Sequence, residues 1–461
     1  MSDSNSFSEL DLRPELLGNL DDLGYTAMTL VQSVALPLLL AGDDVLARAK
    51  TGSGKTAAFG LALLNKLELA SFKVQALVLC PTRELADQVA GEIRRLARAL
   101  PNVKVLSLCG GVPLGPQVAS LQHSPHIIVG TPGRVLKHLG KGTVDLKTLN
   151  TLVLDEADRM LDMGFTDELD AILQFVPAQR QTLLFSATYP DAIASISKRV
   201  QKQPQRVDVT DDEAPAQITH YWCAVTRENR CQELLRALQA WGGALNLVFC
   251  NTKVDCAEVA SYLQAQKVAS LALHGDLDQA SRNEVLVRFA NRSTSVLIAT
   301  DVAARGIDVK DLDTVFNFEL PKQAEIYVHR TGRTARAGKS GMAVSLVEEK
   351  ESWRWQDIET LLPDAVLQKR GIPDAKGADE RLSPVNTTIQ ISGGKRNKLR
   401  PGDLLGALTA QGGVPGTAVG SIDLFDTCAY VAIESRHAKS ALQQLATRPI
   451  KGRKYRARIR R

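Results

Sequence analysis

The sequence predicts an α/β protein with two tandem parallel-sheet domains and a small C-terminal α+β domain. Short apolar runs rich in β-branched residues, at positions such as 76–80, 127–130 and 151–154, alternate with helical patterns. This alternation is typical of parallel strands with helices on both faces of the sheet. The same alternation of strand and helix patterns occurs again further along the chain, with apolar runs at residues 247–250 and 295–299. Since ligands of such sheets bind at the carboxyl ends of the strands, the motifs that follow strands are the candidate functional sites.

Two polar stretches divide the chain into the predicted domains. The length of 461 residues suits about three domains. Residues around 209–217 are rich in acidic residues, and residues 371–384 combine glycine and proline with charges, which indicates a linker. The predicted parts are an N-terminal segment, two α/β domains, the linker and a C-terminal domain, at residues 1–34, 35–208, 209–370, 371–384 and 385–461.

Positive charge is concentrated at the C-terminus. Residues 385–461 contain 14 Lys and Arg against 4 Asp and Glu, a net charge of +10, whereas the preceding residues have a net charge of −5. Such asymmetry favours a polyanion as the ligand of the basic segment. The longest apolar stretch, residues 34–41, contains Pro37 and is too short for a membrane span, and the polar N-terminus lacks the features of a secretory signal. We therefore expect no membrane association and a cytoplasmic location.

A glycine-rich loop follows the short apolar run around Val45 and precedes a helical pattern. The loop consists of Ala49, Lys50, Thr51, Gly52, Ser53, Gly54, Lys55 and Thr56. It resembles a Walker A loop, in which glycines let backbone N–H groups turn towards phosphate oxygens. Lys55 would place its charge at the β and γ phosphates, and Thr56 would offer a hydroxyl group to Mg²⁺. The alternative is an ordinary glycine-rich turn, against which the strand, loop and helix context argues.

Asp155 and Glu156 follow the apolar run at residues 151–154 and belong to the sequence Asp-Glu-Ala-Asp. An aspartate at a strand end can hold Mg²⁺ through its water shell, and Glu156 can orient and deprotonate an attacking water. Phosphoryl transfer needs mainly positioning and charge stabilisation, which Lys55, the metal ion and the carboxylates supply together. The alternative is an acidic helix start, which the preceding phosphate loop makes the weaker interpretation.

Further motifs occur in a fixed order along nearly the whole chain. They are Gln32 after Gly24-Tyr25, Pro81-Thr82-Arg83-Glu84-Leu85, Gly110-Gly111, Thr131-Pro132-Gly133-Arg134, Ser186-Ala187-Thr188, Ala299-Thr300-Asp301 with Arg305-Gly306-Ile307-Asp308, and residues 329–336. Together with the loop and the acidic motif, this order resembles that of the DEAD-box RNA helicases. The resemblance implies two RecA-like domains and an RNA-stimulated ATPase that uses ATP and Mg²⁺ to unwind short RNA duplexes.

The resemblance implies that the N-terminal part of the chain binds the adenine ring of ATP. Gln32 would read the adenine edge, because its amide offers both a donor and an acceptor. Tyr25 would stack on the ring, and Phe7 has the spacing of a supporting aromatic residue, although an ordinary buried phenylalanine is the alternative. The family more often has Pro where Leu30 stands.

Arg333 and Arg336 match the family's arginine fingers, which stabilise charge on the transferred phosphoryl group. A solvated basic face is the alternative for this cluster. Asp308 would contact the ribose of ATP. The family more often has Ile where Thr331 stands and Gly where Ala335 stands, but the arginine spacing is intact.

The resemblance also implies an RNA groove whose small and basic residues contact phosphates and 2′-hydroxyl groups. Its residues in this sequence are Thr82, Arg83, Gly110, Gly111, Thr131, Arg134, Arg282, Thr300 and Arg305. The segment that would couple ATP hydrolysis to strand separation comprises Ser186, Ala187 and Thr188. Taken singly, each of these residues is also compatible with an ordinary turn, helix cap or strand end.

The C-terminal segment has the pattern of a βαββαβ domain. Strand patterns occur at residues 387–391, 420–424, 428–433 and 454–459, and helical patterns occur at 401–408 and 438–447. This order suits an RRM-like fold, but Ile433 stands where the RNA-binding stripe usually has an aromatic residue, so base stacking on the sheet is not favoured. The preferred RNA contacts are the basic edges, at Lys395, Arg396, Lys398, Arg400, Lys451, Arg453 and Lys454. A solvated basic tail is the alternative.

This extension resembles that of the DbpA-type bacterial helicases, which act on large-subunit ribosomal RNA. The expected partners are therefore RNA, in particular a hairpin of 23S ribosomal RNA, and pre-50S particles, with the C-terminal domain giving the specificity. The alternatives are a general RNA helicase or RNA chaperone, a DNA helicase and a non-catalytic RNA clamp. No coiled-coil seam is present in the sequence, so a monomer is expected.

Overall fold

The computed structural model describes residues 5–49, 52–188, 191–209, 218–304, 312–335, 340–363, 365–374 and 382–460. Five predicted site residues lie outside these described residues, namely Lys50, Thr51, Arg305, Asp308 and Arg336. The described ranges contain two seven-stranded sheets and one four-stranded sheet. No helix within these ranges has the length and apolar character needed to cross a bilayer.

The first sheet is formed by seven parallel strands. They are β1 (Val45–Arg48), β2 (Ala76–Leu79), β3 (Val105–Leu108), β4 (Ile127–Gly130), β5 (Thr151–Leu154), β6 (Gln181–Ser186) and β7 (Gln205–Asp208). Their order across the sheet is β3-β4-β2-β5-β6-β1-β7. Because all these strands are parallel, the loops that follow them open at the same edge of the sheet.

Helices cover both faces of this sheet. The helices are α1 (Pro14–Asp22), α2 (Leu30–Ala41), α3 (Lys55–Lys66), α4 (Arg83–Leu96), α5 (Leu114–Leu121), α6 (Pro132–Gly140), α7 (Ala157–Asp162), α8 (Thr166–Leu173) and α9 (Asp191–Val200), with short 3₁₀ helices at Phe7–Glu9 and Ala97–Ala99. Along β5, Val153 faces one apolar cluster, whereas Leu152 and Leu154 face the other. This burial on both faces explains why the strands have nearly continuous apolar sequences.

The second sheet has the same architecture. Its strands are β8 (Ile218–Val225), β9 (Asn246–Cys250), β10 (Ser270–Leu273), β11 (Val296–Thr300), β12 (Thr314–Asn317), β13 (Gly341–Glu348) and β14 (Leu367–Lys369), in the order β10-β11-β9-β12-β13-β8-β14. The helices are α10 (Arg230–Trp241), α11 (Lys253–Ala265), α12 (Gln279–Ala290), α13 (Asp301–Ala304), α14 (Ala324–Thr331) and α15 (Ser352–Leu361), with a 3₁₀ helix at Glu349–Glu351. The pairing is again parallel throughout.

His220 on β8 makes the stability of this second domain dependent on pH. It is buried, its Nδ1 lies 2.9 Å from the hydroxyl group of Tyr327, and burial lowers the pKa of His220 to about 4. In the unfolded chain the histidine has a pKa near 6.5. Its contribution to the free energy of unfolding is therefore fully present above that pH and is lost as the pH falls towards the pKa in the folded state. We expect the free energy of unfolding to fall by about 1–2 kcal/mol between pH 7 and pH 5.

Tryptophan fluorescence can measure this effect selectively. The four tryptophans of the chain all lie in the second domain, at positions 222, 241, 353 and 355. Urea unfolding followed by this fluorescence at both pH values would be compared between the natural chain and His220→Asn. Other titrating groups are common to both proteins, so the natural chain should lose more stability than the variant. Equal losses would contradict the assignment to His220.

The third sheet is antiparallel and belongs to a small domain with the order βαββαβ. Its elements are β15 (Asn386–Ile391), α16 (Pro401–Thr409), β16 (Val419–Leu424), β17 (Ala429–Glu434), α17 (Ala438–Thr447) and β18 (Ala457–Arg460), with 3₁₀ helices at Lys395–Asn397, Gly416–Ala418 and Ser435–His437. Both helices pack on one face, where Ile389, Leu404 and Val431 form the core. Ile433 also belongs to this core, so it does not lie on the face that carries RNA-binding aromatics in RRM-like domains.

The other face of the third sheet packs against the end of α12 in the second domain. Thr388 is fully buried, and its hydroxyl oxygen lies 2.7 Å from that of Ser293 and 3.4 Å from Asn291 Nδ2. Arg460 on β18 forms an ion pair of 2.8 Å with Glu284 on α12. The centre of this sheet face, at Thr388 and Tyr430, is therefore covered by protein rather than open to bases.

The structure confirms the predicted fold class of two parallel-sheet domains and a smaller α+β domain. The predicted last strand, at residues 454–459, begins later, at Ala457. A turn closed by hydrogen bonds between Ile450 and Arg453 precedes that strand. The exact domain boundaries stay predictions.

Candidate nucleotide site and RNA interface

The glycine-rich loop lies between β1 and α3. Gly52 and Gly54 have φ values of 92° and 96°, in the left-handed region that glycine adopts readily. Helix α3 begins at Lys55, which is buried and donates a hydrogen bond from Nζ to the carbonyl oxygen of Ala49 (2.9 Å). The lysine that we expect to bind phosphate is therefore hydrogen-bonded to the residue that follows β1.

The Gln32 side chain links α2 to this loop. Its amide oxygen accepts a hydrogen bond from the backbone N–H of Thr29 (2.9 Å), and its Nε2 donates to the carbonyl oxygen of Gly54 (3.2 Å). Thr29 Oγ1 donates to the carbonyl oxygen of Ser53 (2.8 Å). A Cβ atom on Gly54 would lie 2.6 Å from Gln32 Nε2, so another residue there would displace the glutamine amide. The residue expected to read adenine thus also positions the phosphate loop.

Tyr25 is partly buried in a cluster of aromatic and charged side chains. Phe7 is buried and meets the tyrosine ring edge-on, with the ring centroids 6.1 Å apart. The hydroxyl group of Tyr25 donates to Glu92 (2.6 Å) and accepts from Arg95 (2.7 Å), whose guanidinium lies over the ring. Burial, followed by the Glu92 carboxylate, raises the pKa of Tyr25 to about 12. Phe7 therefore supports the ring that we expect to stack on adenine.

Asp155 lies at the carboxyl end of β5. It is buried, and its Oδ1 accepts a hydrogen bond from the backbone N–H of Glu156 (3.0 Å). Burial raises the pKa of Asp155 to about 6, although the charge of Lys55 opposes this shift. A hydrated divalent cation would replace the hydration that this carboxylate has lost, and the Thr56 hydroxyl group offers a second oxygen. This donor set fits Mg²⁺.

Glu156 adopts a strained backbone conformation. Its φ and ψ are both 52°, in the left-handed region, which costs a residue with a Cβ atom about 1–2 kcal/mol. Arg159 donates from Nη1 to Glu156 Oε2 (3.0 Å), and both side chains are buried. The backbone N–H groups of Arg159 and Met160 donate to the Glu156 carbonyl oxygen (3.0 and 3.2 Å). The carboxylate that we expect to orient water is therefore held by a buried ion pair at the start of α7.

Asp158 connects the acidic motif to the segment after β6. Its Oδ2 accepts hydrogen bonds from the backbone N–H groups of Ala187 (3.2 Å) and Thr188 (3.0 Å) and from Thr188 Oγ1 (2.9 Å). Ser186 Oγ donates to the Thr188 carbonyl oxygen (2.6 Å). The sequence alone predicts no role for Asp158. Its place in the Asp-Glu-Ala-Asp motif is a signal that the residue has a function, but only the structure identifies its partners.

The predicted RNA contacts of the first domain follow the neighbouring strands β3, β4 and β2. Thr82 caps α4, since its Oγ1 accepts a hydrogen bond from the backbone N–H of Leu85 (3.3 Å). The Arg83 side chain lies close to Gly110 and Gly111, where a Cβ atom would be 3.2 Å and 1.4 Å from its guanidinium nitrogens. At Gly111 the absence of a Cβ atom leaves the space that the guanidinium occupies.

Arg134 is oriented by a residue that sequence analysis did not select. Its Nη1 donates to Gln117 Oε1 (2.6 Å), and its Nη2 donates to the Val112 carbonyl oxygen (2.8 Å). Gln117 is buried on α5 and donates from Nε2 to the Cys109 carbonyl oxygen (3.0 Å). Thr131 is the N-cap residue of α6. The loops after β3 and β4 are therefore connected through Gln117.

In the second domain, Arg282 and Thr300 contact the same short helix, α13. Arg282 Nη2 donates to the Ala303 carbonyl oxygen, and Thr300 Oγ1 accepts a hydrogen bond from the Ala303 N–H, both at 3.4 Å. The structure thus brings these two predicted RNA contacts together at the carboxyl end of β11.

Arg330 fixes the helix that precedes Arg333. Its guanidinium pairs with both oxygens of Asp301 (2.6 and 2.7 Å) and donates to Asn251 (2.9 Å) and Asn317 (3.0 Å). It is 1 % exposed and is the largest fully buried side chain among the described residues. Arg333, one of the two residues predicted to be arginine fingers, lies just after α14 and is also buried. The role of Arg330 is not predictable from the sequence, because spacing alone cannot distinguish a structural arginine from a catalytic one.

The basic edges of the C-terminal domain converge at one end of its sheet. Ile391, at the end of β15, pairs with Ala457, at the start of β18, so the loops that follow and precede them are neighbours. Lys451 Nζ donates to the Lys398 carbonyl oxygen (2.8 Å) and pairs with Asp403 (2.8 Å). All seven predicted contacts are exposed, namely Lys395, Arg396, Lys398, Arg400, Lys451, Arg453 and Lys454.

Three family models match the chain in the order of its three sheets. They are "DEAD/DEAH box helicase" at residues 29–196, "Helicase conserved C-terminal domain" at 229–338 and "DbpA RNA binding domain" at 388–459. The ATP-dependent RNA helicase DbpA of Escherichia coli K12 is 52% identical over 455 residues, which cover 98% of this chain and 99% of that relative. The chain belongs to the DEAD-box RNA helicases.

Two further comparisons agree with this family. The DEAD-box helicase CshA of Geobacillus kaustophilus is 43% identical over 355 residues, which cover 77% of this chain and 76% of that relative. The solved structure of Saccharomyces cerevisiae Dbp5 bound to RNA and ADP BeF3 is 30% identical, with a TM-score of 0.73, and covers 82% of this chain and 100% of that one. This DEAD-box helicase is therefore an ATP-dependent RNA helicase that binds nucleotide and RNA.

The structure shows how the chain accommodates the residues at the three positions that depart from the family pattern. Leu30 is the first residue of α2, a position that favours proline without requiring it. Thr331 Oγ1 donates to the Tyr327 carbonyl oxygen within α14 (3.0 Å). Ala335 has a φ of 56°, a conformation that glycine adopts without strain. The backbone of this helicase therefore explains the family's glycine, and alanine costs about 1–2 kcal/mol there.

Proposed function

We propose that this DEAD-box helicase melts short RNA duplexes beside a hairpin of 23S ribosomal RNA while the large ribosomal subunit is assembled. It would act in the cytoplasm as a monomer on pre-50S particles. The observation that carries this proposal is the convergence of exposed basic loops at one end of a C-terminal domain whose sheet face is covered at its centre. Such a domain offers phosphate contacts to a folded hairpin rather than stacking surfaces to a single strand.

At the nucleotide site, each side chain has a proposed task. Lys55 and the backbone of residues 52–56 bind the phosphates, while Gln32 and Tyr25 bind the adenine and Asp308 contacts the ribose. Mg²⁺ held by Thr56 and, through water, by Asp155 would neutralise phosphate charge. Glu156 orients the attacking water and accepts its proton. Arg333 and Arg336 stabilise the charge that develops on the transferred phosphoryl group.

RNA binding would supply the energy for local melting. The groove residues at the strand ends contact phosphates and 2′-hydroxyl groups, and so they follow a strand without reading its sequence. Losing a stacked step costs about 1.4 kcal/mol by the DNA value, so a few steps amount to roughly 5 kcal/mol, within reach of such a groove. The segment at residues 186–188, bound by Asp158, would couple this melting to the state of the nucleotide.

The decisive measurement is steady-state ATP hydrolysis without RNA, with a generic single strand, and with a large-subunit ribosomal RNA fragment that contains the peptidyl-transferase hairpins. The test variant reverses three exposed charges, Lys395→Glu, Arg396→Glu and Lys454→Glu. Substitution is preferable to truncation, because removing the domain would uncover the end of α12. We expect the ribosomal fragment to stimulate hydrolysis at least about tenfold better than the generic strand, and the variant to lose this advantage.

Arg436→Glu with Lys439→Glu is the matched control. Both residues are exposed and follow Glu434, which pairs with Asn386 at the opposite end of the sheet from Ile391. This control should retain the preference for the ribosomal fragment. Equal stimulation by all RNAs would support a general RNA helicase or RNA chaperone instead. Absence of any stimulation would favour a non-catalytic clamp.

A further inference from the structure

We propose that Arg159 is a positioning residue, which holds the Glu156 carboxylate in the orientation needed to bind the attacking water. This inference rests on the proposed role of Glu156 and adds a residue to which neither the sequence motifs nor the family comparisons assign a function. Its basis is the buried ion pair between Arg159 Nη1 and Glu156 Oε2, at 3.0 Å.

The local fold explains why the two side chains meet. Glu156 is the N-cap residue of α7, and the Arg159 N–H donates to its carbonyl oxygen (3.0 Å), which closes the first turn. Residues three apart on a helix lie on the same side, so the guanidinium reaches the carboxylate without further distortion. The Glu156 side chain is therefore held by this ion pair, while its backbone adopts the left-handed conformation.

Burial makes this pair matter more than a surface ion pair. The side chains of Arg159 and Glu156 are 5 % and 4 % exposed. A carboxylate so far removed from water keeps one orientation only if a partner holds it, and a charged hydrogen bond from a guanidinium restricts that orientation more than a neutral one would. Removing the guanidinium frees the carboxylate to rotate away from the reacting water, which slows the chemical step rather than substrate binding.

The same helix turn reaches the segment after β6. Asp158, the residue before Arg159, accepts two backbone hydrogen bonds and one side-chain hydrogen bond from Ala187 and Thr188. A shift of that segment therefore moves the turn that carries Arg159. The position of the Glu156 carboxylate thus depends on a segment that lies outside the phosphate loop.

The test is a kinetic cycle with Arg159→Met, Arg159→Lys, Glu156→Gln and the double variant Glu156→Gln/Arg159→Met. Arg159→Met should lower kcat of RNA-stimulated hydrolysis about 10- to 100-fold and leave KM for ATP within about twofold. Arg159→Lys should recover part of the loss, since it keeps the charge but not the planar fork. In the Glu156→Gln background, Arg159→Met should change the single-turnover rate by less than about twofold.

Arg180→Met is the control, because Arg180 is a partly buried arginine of the same domain that donates to the Pro177 and Val200 carbonyl oxygens. It should leave kcat unchanged. Should Arg159→Met prevent folding, Arg159→Lys and the double variant still supply the comparison. An equal loss of rate with and without Glu156, or a rise in KM without a fall in kcat, would overturn the proposal. If Glu156→Gln itself retains activity, the proposed role of Glu156 as the base is wrong. The positioning role of Arg159 then fails with it.

Discussion

Replacing Glu156 by Gln is expected to slow RNA-stimulated ATP hydrolysis by about 10²- to 10⁴-fold, the usual contribution of a general base. Glutamine has nearly the same shape but cannot accept the proton from water. ATP and RNA should still bind, since Lys55, Gln32 and the groove residues are untouched. The bound complex should therefore persist, and RNA should be released more slowly. Single-turnover hydrolysis and the anisotropy of a labelled RNA after an ATP chase measure the two effects.

Glu15→Gln provides the matched control for this substitution. Glu15 is an exposed glutamate in the first turn of α1, and it belongs to no predicted site. Its replacement should alter neither the rate of hydrolysis nor the release of RNA. The proposed mechanism fails if Glu156→Gln keeps hydrolysis within about tenfold of the natural rate and also leaves RNA release unchanged.

Replacing Arg333 by Ala is expected to reduce kcat about 10³-fold, at the lower end of the range for arginine fingers in related enzymes. A guanidinium fork stabilises the charge of the transferred phosphoryl group, and alanine supplies no substitute. Arg333→Lys should recover only part of the rate, because an ammonium group is a point charge without the planar fork. The measurement is kcat at saturating RNA, with ATP affinity determined separately through a fluorescent analogue.

Arg227→Ala is the control for Arg333, since Arg227 is an exposed arginine of the same domain. Tryptophan fluorescence would show whether either variant disturbs that domain, because all four tryptophans belong to it. A loss of ATP affinity with an unchanged kcat would assign Arg333 to ground-state binding. Arg333 would then not act as the proposed finger.

The alternation of apolar strands and helical patterns was sufficient to predict the fold class. Strands such as β5 are buried on both faces, so three of the four residues of β5 are apolar and form a continuous run that is visible in the sequence. The order of the C-terminal elements was also visible, because α16 and α17 carry regular apolar spacing. The pattern could not reveal which strand residues face the helices. Ile433 is therefore the wrong reason to disfavour base stacking on the sheet, since its side chain belongs to the core and not to the opposite face.

Several determinants of the candidate sites depend on contacts between distant parts of the chain. Gln117 orients Arg134, and Arg330 binds Asp301 from a different helix. Such partners are set by sheet order, which local periodicity does not specify. Residues with a motif-based chemical role could be predicted from their type and spacing. Residues that orient them could not, because a buried Gln or Arg has no sequence signal of its own.

The packing of the third sheet on α12 limits how this C-terminal domain can be reused in engineered proteins. Residues 385–461 transplanted alone onto another helicase would expose Tyr430 and Thr388, which are buried here, and would leave Arg460 without Glu284. The transplanted domain would also have no defined orientation relative to the new helicase. A transplanted RNA-binding unit would therefore need both surfaces, the sheet and the end of α12, so that its bound RNA has the same orientation as in the parent enzyme.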